Sequence, residues 1–178
     1  MSDTEVLEAT LAALRARITK VFPAQVRAAV ESMSEEEIWW RPNEKTNAVG
    51  NLVLHLTGSL NHFLNRGLGG IDYTRDRDAE FAERQPRSRA ELLAAFDEMV
   101  ANAERTFENI TVPRLGDPSP SPELQTLVIE DLINICSHIA AHSAQIVWIG
   151  KMLHEGSLDE VWSRTHKRLG GWRPRNPS

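Results

Sequence analysis

ELQTLVIEDLINICSHIAAHSAQIVWIGKMLH, residues 123–154, is the stretch on which the fold turns. It holds neither proline nor an internal strand-like alternation. Its apolar residues include Leu127, Ile129, Leu132, Ile133, Ile135, Ile139, Ile146, Val147, Ile149, Met152 and Leu153. They recur at helical spacing and wrap most of the way round, so this is one long helix, either central or partly in a subunit interface. His138 and His142 stand four apart within it. On a helix that offset is about 40° in azimuth and about 6 Å in rise, so both imidazoles leave from one face.

Working outward, Pro113, Pro118, Pro120 and Pro122 mark a loop before this helix. Upstream, Ser88-Arg89-Ala90-Glu91 spells a capping box and opens a helix to about Asn109, with Leu92, Leu93, Phe96, Met99, Val100 and Phe107 as its apolar face. Another helix runs from about Asn47, its core stripe built from Leu52, Leu56, Leu60, Phe63 and Leu64, and stops at Gly67, Gly69 and Gly70. The first segment, about Thr4 to Ser32, carries Val6, Leu7, Leu11, Leu14 and Ile18, with Pro23 predicting a kink or break near Phe22. Ser34-Glu35-Glu36-Glu37 is a second capping box, opening a short turn. Four long helices and no strand pattern give an all-α chain, a four-helix bundle with a long crossover connection.

That connection is residues 71–87, DYTRDRDAEFAERQPR from Asp72 on, dense in ionisable groups. A charge run of this kind is ordinarily a solvated face; the alternative is a lid or an entrance lining.

Composition bounds the rest. The 178 residues suit one domain over 1–155, followed by a C-terminal extension over 156–178. A net charge of −5 excludes a broad nucleic-acid surface, and the basic residues Arg164, Lys167, Arg168, Arg173 and Arg175 read as a solvated tail. One cysteine, Cys136, excludes an intrachain disulfide and fits a reducing compartment. The N-terminus lacks the apolar core of a secretory leader, and no uninterrupted apolar run reaches membrane-spanning length. The expectation is a cytoplasmic protein, partnered neither with nucleic acid nor with a membrane.

A His-xxx-His pair alone is often two polar residues on a wet face. Here isoleucines flank the pair and Ala140 and Ala141 leave room, so two neutral imidazoles face the interior and need partners. His55, set among Leu52, Val53, Leu54 and Leu56, is the third candidate ligand. His62 lies about 10 Å along the axis from His55, and His154 about 18 Å beyond His142, both too far to share the ion. His166 falls in the tail. Cys136 lies about 200° round from His138 and faces away. Gln145 is a candidate for orienting a histidine from behind. Three neutral nitrogen ligands suit Zn, Ni or Fe and leave a position open, the catalytic pattern for zinc.

These residues resemble the DinB/YfiT-like superfamily of metal-dependent bundles. The resemblance rests on three blocks: Trp40-Arg41-Pro42 with Asn47 to Leu56; Gly69-Gly70 with Arg75 to Phe81; and His138 to Ile146, continuing to Lys151-Met152-Leu153. It covers about residues 4 to 155, with Ala144 where relatives commonly have glycine. The resemblance implies a bundle with three histidine ligands on two helices, often a homodimer. It further implies a metal-dependent enzyme on a small-molecule substrate, using a low-molecular-weight thiol as cosubstrate. The alternatives are a metal-dependent hydrolase, or a non-catalytic binding module in which the ion only locks helices together.

Overall fold

The computed structural model describes residues 2–84, 86–121 and 125–154. They are all-helical; the only strand-like feature among them is an isolated bridge between Pro118 and Leu127. The extension expected over 156–178, with its basic residues and His166, lies outside the described residues.

Helix α1 (Asp3–Ala16) begins at a capping box in which Glu5 N–H donates to Ser2 Oγ and Ser2 N–H to the Glu5 carboxylate. It runs without a break through a π-helical turn, Arg17–Val21, into α2 (Phe22–Glu31). The expected kink at Pro23 is absorbed by that turn. Proline lacks an N–H and crowds the carbonyl four residues back, and widening the helix just before it relieves both. The first turns of the α1 stripe are not covered: Val6 and Leu7 are exposed, whereas Ile18 is fully buried. The boxes at Ser34 and Ser88 form as read, opening α3 (Glu35–Ile38) and α6 (Arg89–Glu108).

Helix α4 (Val49–Leu60) passes into a π-helical segment, Asn61–Leu68, which continues through Gly67. It ends where Gly70 takes φ +68 and Ile71 N–H reaches back to Asn65 O. Only glycine enters that left-handed region without strain. Helix α7 (Val128–Leu153) starts later than the sequence suggests. Ser119 N–H donates to Thr126 O and Val128 N–H to Asp117 O, and this pinch delays the helix to Val128.

The long helical stretches pack pairwise. α7 lies against α2 and α4, while α6 lies against α4, its π-helical extension and α2. The core between them includes Ile18, Leu56, Leu60, Phe96, Met99, Leu132, Ile139 and Ile146. α7 corrects one expectation: by length and composition alone it is long and apolar enough to cross a membrane. A central helix of a compact core meets the same test, and Leu132, Ile139 and Ile146 of α7 are fully buried within the chain. Its other face leaves Ile133, Trp148 and Met152 exposed.

The connection between α4 and α6 is solvated over most of its charges, Asp72, Asp76, Arg77, Asp78, Arg84 and Arg87 being exposed, but Glu80 within it is buried. It contains a helical turn and a half, α5 (Arg77–Ala82), capped by Asp76 and packed on α4. Asn51, 1% exposed, fastens it: Nδ2 donates to Glu80 O and Glu83 O, while Oδ1 accepts from Ala48 N–H.

Candidate metal centre

α4 and α7 carry the three histidines to one point. The candidate ligand atoms of His55, His138 and His142 all lie within 4.8 Å of one another. Their rings meet edge to face, with centroids 4.6–5.0 Å apart. Among the described residues no fourth His, Cys, Asp or Glu joins the group. His62 instead sits edge-on to Phe63, and His154 reaches Glu37 at 3.1 Å, so neither belongs to it. Cys136 is half-buried on another side of α7; burial pushes its thiol up, and the opposing charge felt is that of Arg17.

Two of the rings, His55 and His138, are held neutral for a physical reason. Burial lowers the His138 pKa to about 4, helped by the neighbouring imidazoles. Burial also lowers that of His55, against the raising effect of its bond to Glu80. A neutral imidazole has one lone pair to give, and its position follows from what the other nitrogen does. His55 Nδ1 lies 2.9 Å from Glu80 Oε2, which can only accept, and 3.2 Å from Arg75 Nη2, which can only donate; the shorter contact favours Nδ1–H donating to Glu80, with the lone pair on Nε2. Gln145 Oε1 lies 2.7 Å from His142 Nδ1, which fixes the same tautomer in that ring. His138 Nε2 is buried and has no hydrogen-bond partner. Such an atom loses its solvation without compensation unless something binds it. A divalent cation fits this set: three converging imidazoles, one with an orphaned nitrogen.

Sequence reasoning missed the groups behind His55. Glu80 is 8% exposed although it lies in a charge run. Arg75 holds it by two bonds, Nε to Oε1 at 2.7 Å and Nη2 to Oε2 at 2.8 Å. Phe81 covers the His55 ring at 4.6 Å between centroids. Room for the carboxylate comes from Gly58, where a Cβ would collide with Glu80 Oε1. The one signal available was spacing: Asn51, His55 and Gly58 fall on one face of α4 at i, i+4 and i+7, so whatever packs there must be close and polar.

A cavity of about 390 Å³ opens beside His55 and His138. Leu60, Phe63 and Ile135 make its apolar wall; Ser59, Arg75, Arg77, Asp131 and Asn134 complete it.

The description "Protein of unknown function (DUF1572)" matches residues 6–163. The chain belongs to that family. Its match spans α1 to α7 and runs past Leu153, so the fold and the histidine cluster both lie inside it. No curated protein matches the DUF1572 chain significantly.

Proposed function

We propose that this DUF1572 protein is a four-helix bundle of the DinB/YfiT-like kind, holding one divalent metal ion on His55, His138 and His142. We further propose that it is an enzyme that joins a low-molecular-weight thiol to an electrophilic small molecule. The observation that carries the metal reading is the buried, unpartnered Nε2 of His138 beside two other imidazoles. A resident ion removes that deficit, and an internal hydrogen bond does not, because none reaches the atom.

When bound, such an ion supplies Lewis acidity toward a thiol or a water. The chain's own residues do the rest. Glu80 accepts the Nδ1–H hydrogen bond of His55, holds the ring's orientation and raises its basicity, and Arg75 holds Glu80. Phe81 and Phe63 keep bulk water from two sides of the centre. The absence of a fourth protein ligand among the described residues favours a catalytic over a locking role. Because Cys136 is directed elsewhere, the thiol comes from solution.

The test is elemental analysis after mild purification, followed by thiol-dependent loss of an electrophile such as 1-chloro-2,4-dinitrobenzene. Turnover should require both metal and added thiol and survive Cys136→Ser. Turnover that survives chelation overturns the reading; metal-dependent turnover of an ester without thiol assigns a hydrolase instead.

The exposed Ile133, Trp148 and Met152 on α7 favour a homodimer built on that helix, since large apolar side chains gathered on one outer helix are unusual on a monomer. Sedimentation at micromolar concentration tests it, and a monomeric mass refutes it.

A further inference from the structure

The cavity beside the histidines has a second end. Asp131, Asn134, Ile135 and His138 fall at i, i+3, i+4 and i+7 on α7 and all border it. By helical rise Asp131 sits about 10 Å along the axis from His138. It is 3% exposed. Thr126 Oγ1 donates to its Oδ1 at 2.6 Å and holds the carboxylate in place, but its Oδ2 is buried without a hydrogen-bond partner. A carboxylate oxygen withdrawn from water and left unmatched is costly, and a donor arriving in the cavity restores what it lost. The wall between the two ends is apolar, formed by Leu60, Phe63 and Ile135. Arg75 also borders the cavity, with its Nε and Nη2 committed to Glu80.

We propose that this cavity binds a small molecule with a protonated amine at one end and an apolar middle, the amine donating to Asp131 and the other end lying against the histidine cluster. At about 390 Å³ the cavity lies in the size range of small-molecule sites. Two sources share this chemistry: an amine carried by the thiol, or one carried by the electrophile. What happens at the far end rests on the metal reading above, whereas recognition of the amine does not.

The experiment titrates the full chain, metal-free and zinc-loaded, with phenethylamine, 2-phenylethanol and 3-phenylpropionate, following binding by ligand-observed NMR at neutral pH. Phenethylamine should bind at least tenfold tighter than the other two in both forms. Asp131→Asn should remove that preference while leaving the zinc stoichiometry unchanged. Cysteamine against 2-mercaptoethanol then assigns the amine to the thiol if the former binds tenfold tighter, and to the electrophile if the two are equal. Equal affinities for the three phenyl ligands in the wild-type chain overturn the proposal without any variant, and so does a preference that survives in Asp131→Asn. A chain that prefers the amine but binds no zinc sinks the metal reading alone; one that binds zinc without the preference sinks this proposal alone.

Discussion

One buried carboxylate backs the histidine cluster and another borders the cavity, and the two are built to opposite ends. On the α5 side, Glu80 has every oxygen engaged, with Arg75 on both and His55 on one. On the α7 side, Asp131 has one oxygen tied to Thr126 and the other without a bond. Both are buried to a similar degree, so burial does not separate them. Saturation does. A satisfied buried network is finished in the folded chain and fixes geometry, while an unsatisfied atom waits for something the chain does not contain. By the same measure the histidines divide: His55 and His142 have an engaged Nδ1, and His138 has the orphan Nε2.

The strongest way to break this contrast is to remove the orphan. His138→Ala should abolish stoichiometric metal retention, read by elemental analysis, while His62→Ala and His154→Ala leave it intact. Retention in His138→Ala would mean that the cluster is not the metal site. Glu80→Gln comes next. It keeps the shape but replaces an acceptor-only carboxylate, so metal affinity should fall about 10–100-fold, the usual range for a partner behind a ligand. Gly58→Ala should reproduce much of that loss by displacing the carboxylate. The overpacking should also cost about 1–3 kcal/mol of stability, offset in part by the helix preference of alanine. Losses in both variants would show that the site needs the charge of Glu80 as well as its position.

Much of this was legible in the sequence, and the failures have physical causes. The capping boxes at Ser34 and Ser88 and the His138–His142 pair follow from local spacing, which a helix converts directly into a shared face, and His55 stands out as a lone polar residue among leucines. Glu80 and Arg75 were not legible, because a charged run looks the same whether water or Asn51 and Gly58 receive it. Their burial depends on α4 presenting a glycine and an amide at one height, a tertiary fact. The late start of α7 was hidden for a similar reason: the pinch between Ser119 and Thr126 is a loop-to-loop bond.

Acidification sharpens the contrast at an intermediate scale. The His138 pKa is lowered in the folded chain to about 4, so between the ordinary imidazole range and that value the unfolded chain holds more protons than the folded one. Stability therefore rises with pH across that window and is lost as pH falls through it. His55, also lowered, adds to the same slope. The metal-free chain should unfold at progressively lower temperature from about pH 6.5 downward. Removing the titrating ring in His138→Ala should flatten that slope. Bound metal should be released in the same interval, since protons compete for the same lone pairs. A melting temperature that stays level from pH 6.5 to 4.5 would mean that the rings are not held neutral by burial.

The smallest expected effect concerns Gln145, which stands to His142 as Glu80 stands to His55. Each offers an oxygen to the Nδ1 of a histidine, at 2.7 Å and 2.9 Å, so geometry alone would rank them together. Their surroundings do not. Glu80 is charged, buried and clamped by Arg75, whereas Gln145 is a neutral amide on the exposed face of α7. Water can replace an exposed amide oxygen at little loss, because the net gain from such a bond is only about 0.5–1.5 kcal/mol. Gln145→Ala should accordingly weaken zinc binding by less than about tenfold, measured by competition with a chelating dye, and leave its stoichiometry at one. If Gln145→Ala costs as much affinity as Glu80→Gln, then enclosure and saturation are not what distinguish the two supports, and His142 rather than His55 is the ring whose orientation governs the site.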